Sequence, residues 1–273
     1  MGATQEIRAA AVAGLFYPRE ANKLSRDLQV MLKGATMVKA LPGVLKALIV
    51  PHAGYIYSGP VAASAYASLF PFRDTIRRVV LLGPTHRVAV SGLALPGVQA
   101  FETPLGRIPV DSDAVKFLKP LRQVATSPVA HQLEHSIEVQ LPFLQMLLSD
   151  FQLVPLAVGD ATPKAVAEVI EVLWGGPETL IVVSSDLSHY HPYALAQEVD
   201  RRTCASIMEL QQLDSHEQAC GATPVNGLML AARHHRLTPH LLDLRNSGDT
   251  AGDRDRVVGY GAFAFTEEPQ HGD

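Results

Sequence analysis

Three apolar runs in this chain end in residues able to hold a metal or move a proton. Leu48-Ile49-Val50 leads into Pro51-His52-Ala53-Gly54. The run from Arg78 to Leu82 leads into Gly83-Pro84-Thr85-His86, and Leu180 to Val183 leads into Ser184-Ser185-Asp186-Leu187-Ser188-His189. An imidazole changes charge near neutral pH and is a common metal ligand, so His52 and His86 together suggest metal chemistry. A carboxylate that orients and charges an imidazole is the arrangement acid–base work needs, which is what Asp186 and His189 offer if the segment turns helically. Any single histidine reads equally as a hydrogen-bonding loop residue. The repetition of strand, turn and histidine is what points to a site.

The elements that would position these residues follow from the pattern. Short apolar runs bounded by Pro and Gly suit strands covered on both faces. Right-handed crossovers align the C-terminal ends of successive parallel strands at one sheet edge, and ligands of open α/β sheets bind at that edge. Helical spacing of Leu24, Leu28, Met31 and Leu32 predicts a covering helix over 20–33, and Pro60 marks the first turn of a second over 61–69. Residues 8–18 read as a strand or turn, 91–109 as a hairpin or irregular excursion, and 111–118 as a capped helix. Further helices are expected at 162–173, 196–210 and 224–233, and strands at 153–158, 241–244 and 257–265.

A helix over 131–144 would put His131 and His135 (i, i+4), and His135 and Glu138 (i, i+3), on one face. It lacks the Glu directly after the first His that a zincin has, so His135 and Glu138 read as pocket lining, or else as a solvated polar face. Tyr55, Tyr57 and Tyr190 flank the candidate site and could wall a pocket. The loop 245–250 could bring a further carboxylate.

At 273 residues with 47% hydrophobic content, the chain suits one large α/β domain or two small ones. The absence of a visible linker favours one domain over 1–273, with a central mostly parallel or mixed sheet and helices on both faces. A net charge of -4 without blocks of like charge gives no footprint for nucleic acid or a membrane surface. Cys204 and Cys220, sixteen residues apart, make neither a disulfide framework nor a zinc ribbon, which fits a reducing cytoplasm. Cys204 reads as core, and Cys220-Gly221 as the turn before a helix. The N-terminal apolar patch lacks a basic flank, and no span reaches the ~18 apolar residues of a transmembrane helix. The tail EEPQHGD reads as a frayed end.

In order, PHAGYIYSG, GPTH, EHSIEVQLPFL, SSDLSHY, NSGD and GYGAFAF resemble the Memo family, which includes bacterial members called AmmeMemoRadiSam system protein B. The resemblance covers about residues 14–265. It implies a fold similar to class III extradiol dioxygenases, which use nonheme iron(II), and so a metal-dependent oxidoreductase acting on a small molecule. The alternative it leaves is a non-catalytic module binding a peptide or partner in the same pocket. His52 and His86 match the family's two metal-ligating histidines, and Asp186 and His189 its acidic and histidine site positions. Where eukaryotic members have a cysteine this chain has Thr250, a poor ligand, so the neighbouring Asp249 is the expected third ligand for iron(II) or another divalent ion. The family's gene set implies AMMECR1-like and radical SAM protein partners.

Overall fold

The computed structural model describes residues 7–35 and 41–268. Its strands are β1 (Ile7–Arg8), β2 (Val44–Val50), β3 (Arg78–Pro84), β4 (Leu93–Leu95), β5 (Ala100–Thr103), β6 (Gly106–Pro109), β7 (Val124–Thr126), β8 (Gln152–Val158), β9 (Thr179–Ser184), β10 (His189–His191), β11 (Thr238–Asn246) and β12 (Val257–Glu267). The main sheet runs in the order β10-β12-β2-β9-β3-β8-β4-β7, with β11 also paired to β12. Its centre, β2-β9-β3-β8, is parallel; β12 joins β2 antiparallel and β4 joins β8 antiparallel, so the sheet is mixed. A small second sheet pairs β1 with β5 and β5 with β6.

Side chains alternate across a strand, and here both sides find cover. Leu48 and Val50, with Val79 and Leu81, pack into one apolar cluster with the helix Tyr55–Tyr66, the helix Ala21–Gly34 and the helix Leu141–Leu147. Ala47 and Ile49, with Val80 and Leu82, pack into another with the helices Pro163–Val172, Tyr193–Met208 and Ala222–His234. Strands covered on both faces read as unbroken apolar runs, which is why β2, β3 and β9 were visible in the sequence. The α/β fold with helices on both faces is therefore as expected. Asp111 and Thr162 cap their helices through side-chain oxygens, as the pattern predicts.

Three local readings differ. Pro60 lies inside its helix, which begins at Tyr55, so Tyr55 and Tyr57 ride on the first turn. The segment 131–144 is not one helix: Pro128–Gln132 is helical, a turn follows, then a 3-10 turn Glu138–Gln140 and the helix Leu141–Leu147. Competing hydrogen bonds explain the break. Arg8 takes the carbonyls of His131 and Glu134, and the Glu134 carboxylate takes the N–H groups of His135 and Ser136. Finally, 186–189 is extended rather than helical, because Leu187 N–H donates to Gly259 O and Gly259 N–H to Ser188 O, drawing the segment onto β12. Residues 269–273, most of the tail read as frayed, lie outside the described residues. No described helix is long and apolar enough to cross a membrane.

Candidate metal centre

Strand register sets the site. Val50 lies opposite Ser184 and Leu82 opposite Val183, so β2, β9 and β3 end level at one edge. His52, Asp186 and His86 each follow just beyond. The imidazoles of His52 and His86 have centroids 5.2 Å apart, and His135 joins them at 5.5 Å and 4.7 Å. The sequence-derived histidine pair is thus brought together, with His135 stacked on His86.

Hydrogen-bond accounting fixes which ring nitrogens are free. Ser184 Oγ has one proton and donates it to Ser136 O (2.6 Å), so it can only accept from His52 Nδ1 (2.8 Å) and from Gln140 Nε2 (2.8 Å). His52 Nδ1 therefore carries the proton, and Nε2 presents its lone pair. Glu134 does the same for His86: one carboxylate oxygen accepts Nδ1–H at 2.9 Å and the other the backbone N–H at 2.6 Å. A partner on Nδ1 that fixes the tautomer is how metal-ligating histidines are oriented. Burial disfavours the ionised Glu134, but the hydrogen bond from His86, the electrostatic pull of its ring and the N–H groups of Ser136 and His86 outweigh it and hold the carboxyl at about 2. Burial, followed by the His86 imidazole, pushes His52 down to about 3. His135, buried and beside His52, falls to about 4. His52 and His135 are thus neutral at physiological pH, the form that binds metal.

The third donor is Cys220. Its Sγ lies 3.4 Å from His52 Nε2, and one donor atom each from His52, His86 and Cys220 fall within 4.8 Å of one another. The backbone holds it there: Cys220 N–H donates to Asp186 O (3.2 Å) and Asp186 N–H reaches Sγ (3.3 Å). A Cβ on Gly221 would come within 2.9 Å of Ser184 O and Ser185, so only glycine lets this turn close on β9. Burial, then the charge of Asp186, pushes the thiol up to about 12. The thiol is therefore protonated at neutral pH in the absence of a cation.

The other site candidates divide. Asp186 is buried, with Oδ1 accepting His52 N–H at 2.7 Å; burial raises its pKa against that bond and against the imidazoles of His189, His135 and His86. His189, half-buried on β10, is close enough for its charge to be felt at both His52 and Asp186. Tyr57 and Tyr190 act similarly on the buried Tyr260, as does Asp186. Tyr190 has a left-handed backbone (φ 61°) and is exposed, with Arg256 over its ring. Tyr55 is buried and donates to Val139 O at 2.7 Å, so it braces the site from behind.

Asp249 and Thr250 lie on the turn between β11 and β12 and are otherwise engaged. Asp249 closes a capping box by accepting Asn246 N–H (3.0 Å) and also accepts Tyr193 OH (2.5 Å), while Thr250 Oγ1 donates to Ser247 O. Asp249 does not join the donor group that contains Cys220. Glu138 is fully buried in the bonds of the N-terminal segment and joins none of the histidine donor groups. Two residues of the centre escaped the sequence reading. Cys220 carried no strand-end signal, since it precedes a helix rather than following a strand. Glu134 looked like one polar residue of a helix that does not form.

A model of the Memo-like protein family matches residues 8–264. The chain is 34% identical to a MEMO1 family protein of Sulfolobus acidocaldarius, over 95% of this chain and 99% of that one. It is 36% identical to relatives in Methanosarcina barkeri (94% and 99% covered) and Ignicoccus hospitalis (95% and 98%), both also named MEMO1 family proteins. With the whole length matched in this way, the chain belongs to the Memo family.

Proposed function

We propose that this chain is a cytoplasmic metal-dependent oxidoreductase acting on a small molecule, with His52, His86 and Cys220 holding a divalent ion, iron(II) by resemblance to class III extradiol dioxygenases. The observation that carries this reading is the pair of Nε2 lone pairs freed by Ser184 and Glu134 beside the Cys220 thiol. The donor set fits: two neutral imidazoles and a sulfur suit iron, zinc or copper, and the thiolate replaces the carboxylate of the usual iron(II) triad. Such an ion, when bound, supplies Lewis acidity and, if redox-active, one-electron chemistry. The chain's own residues supply the rest. Asp186, kept protonatable by burial, and His189 beside it would carry protons to and from a substrate held at the strand ends.

Next to the centre, a cleft of about 780 Å³ is lined by Leu15, Phe16, Ile56 and Tyr57, and Phe16 packs on His135 at 4.7 Å. Its apolar wall would take the ring or alkyl part of a substrate. Leu15 and Ile56, 80% and 68% exposed, also favour the second reading, a module that binds a peptide or partner there without turnover. By the family's gene set, AMMECR1-like and radical SAM proteins are the proposed partners. The test is oxygen consumption by iron(II)-loaded, anaerobically purified protein across catechols and related phenols. Substrate-dependent uptake lost in His189→Ala, with metal content retained, supports the enzyme. No uptake by the wild type transfers the site to the binding reading.

A further inference from the structure

A second cluster of ligand atoms sits on the covered face opposite the cleft, where the helix Pro163–Val172 meets the helix Ala222–His234. Glu171 places one carboxylate oxygen 3.0 Å from His234 Nδ1 and the other 2.8 Å from His235 Nε2, and all three donors fall within 4.8 Å of one another. Ligands about 2.1 Å from one ion lie no more than about 4.2 Å apart, so small side-chain shifts bring all three donors onto a single ion.

The cluster is held by its scaffold. A Cβ on Gly227 would meet Val166 Cγ1 at 2.4 Å, so the two helices touch backbone to side chain and fix Glu171 against the histidines. Trp174 stacks on His235 with centroids 3.7 Å apart and planes 8° apart. Lys46 Nζ lies 5.0 Å from the centre of the same indole and donates to the carbonyls of Trp174 (2.5 Å), Gly176 (2.9 Å) and Thr179 (3.1 Å). The loop that carries the indole is thereby pinned to β2, and the indole in turn fixes the His235 ring. Burial favours the protonated Glu171, but its hydrogen bonds from His234 and His235 outweigh this and keep the carboxyl below its ordinary value.

We propose that Glu171, His234 and His235 form a second divalent-cation site, independent of the strand-end centre. Two imidazoles and one carboxylate suit Zn²⁺, Ni²⁺ or Cu²⁺ rather than Mg²⁺ or Ca²⁺. The ion takes the place of the protons that now lie between ring nitrogens and carboxylate, and His234, 72% exposed, leaves the remaining coordination positions open to water or an outside ligand. The same ion ties the ends of two helices together.

Trp174 is the chain's single tryptophan, so its fluorescence reports this site. Ni²⁺ titrated into the tag-free full chain should quench it saturably; in His52→Ala, where the strand-end centre no longer takes up Ni²⁺, quenching should saturate at one ion per chain with the midpoint in free Ni²⁺ unchanged. His234→Ala and Glu171→Gln should each raise the midpoint on the order of tenfold. Circular dichroism and thermal melts check that both fold as the wild type does, and Mg²⁺ should not quench. No saturable quenching, a midpoint unmoved by either substitution, or loss of quenching in His52→Ala would overturn the proposal and leave the cluster a hydrogen-bonded clamp between helices.

Discussion

Two ionisable clusters, one wholly buried and one open at His86, meet through Glu134, and they are built in opposite ways. Around Glu138 every oxygen is used: Oε1 accepts Val12 N–H and Tyr17 OH, Oε2 accepts Ala11 N–H and Arg8, and Arg8 spends its other donors on the carbonyls of His131 and Glu134. Nothing is left to bind a ligand, and the cluster straps the N-terminal segment to the body. Around His52, His86 and Cys220 the partners stop short. Ser184 and Glu134 occupy Nδ1 of each ring, and the only partner at either Nε2 among the described residues is the Cys220 thiol, a weak one at 3.4 Å from His52. Polar burial stabilises where it is saturated and binds where it is left open.

The sharpest way to break the comparison is at the open cluster. His52→Ala should abolish iron(II) binding at the strand-end centre, read as iron per chain after anaerobic purification, while the protein stays folded. In the saturated cluster, Glu138→Ala leaves Arg8 buried without a counter-charge and should cost about 3–5 kcal/mol, read from urea unfolding, with metal binding intact in the fraction that folds. A Glu138→Ala protein of unchanged stability would mean the strap is ornamental. Glu134 belongs to both clusters through its carboxylate and its carbonyl. Glu134→Gln keeps the carbonyl but can donate to His86 Nδ1, turning the lone pair away from the centre, so metal affinity should fall about 10–100-fold with little loss of stability.

The smallest effect concerns protons. Burial, with Arg8 also opposing a charge and Ala94 O only partly compensating, brings His131 down to about 4. The unfolded chain then takes up a proton below about pH 6.5 that the folded chain refuses, so His131 contributes stability above that pH which is lost as pH falls toward 4. Between pH 7 and pH 5 the loss should be about 2 kcal/mol, and His131→Gln should flatten that part of the stability profile. An equal slope in wild type and variant would remove His131 from the account.

The strand ends were legible because β2, β3 and β9 are covered on both faces and therefore apolar throughout, so the turn after each stands out. His52, His86 and Asp186 came with them. What the sequence hid was decided by long-range hydrogen bonds. Arg8, more than a hundred residues away, takes carbonyls from 131–134 and prevents the helix whose spacing paired His135 with Glu138. Asp249 looked like a ligand because carboxylates suit iron(II), but a capping box and Tyr193 claim it. Cys220 reaches the edge from a helix start, through the close approach that Gly221 allows. No periodicity announces such a residue.

Cobalt(II) shows whether His52, His86 and Cys220 converge on one ion, because a thiolate bound to cobalt gives a near-ultraviolet charge-transfer absorption that imidazole and carboxylate ligands do not. Cobalt(II) added anaerobically to the wild type should produce this band at one equivalent. Cys220→Ser should lose the band, His52→Ala should lose it too because the centre no longer holds cobalt, and Asp249→Asn should leave it unchanged. A wild-type spectrum without the band, or a spectrum that survives in Cys220→Ser and vanishes in Asp249→Asn, would contradict the account and return the third position to the carboxylate.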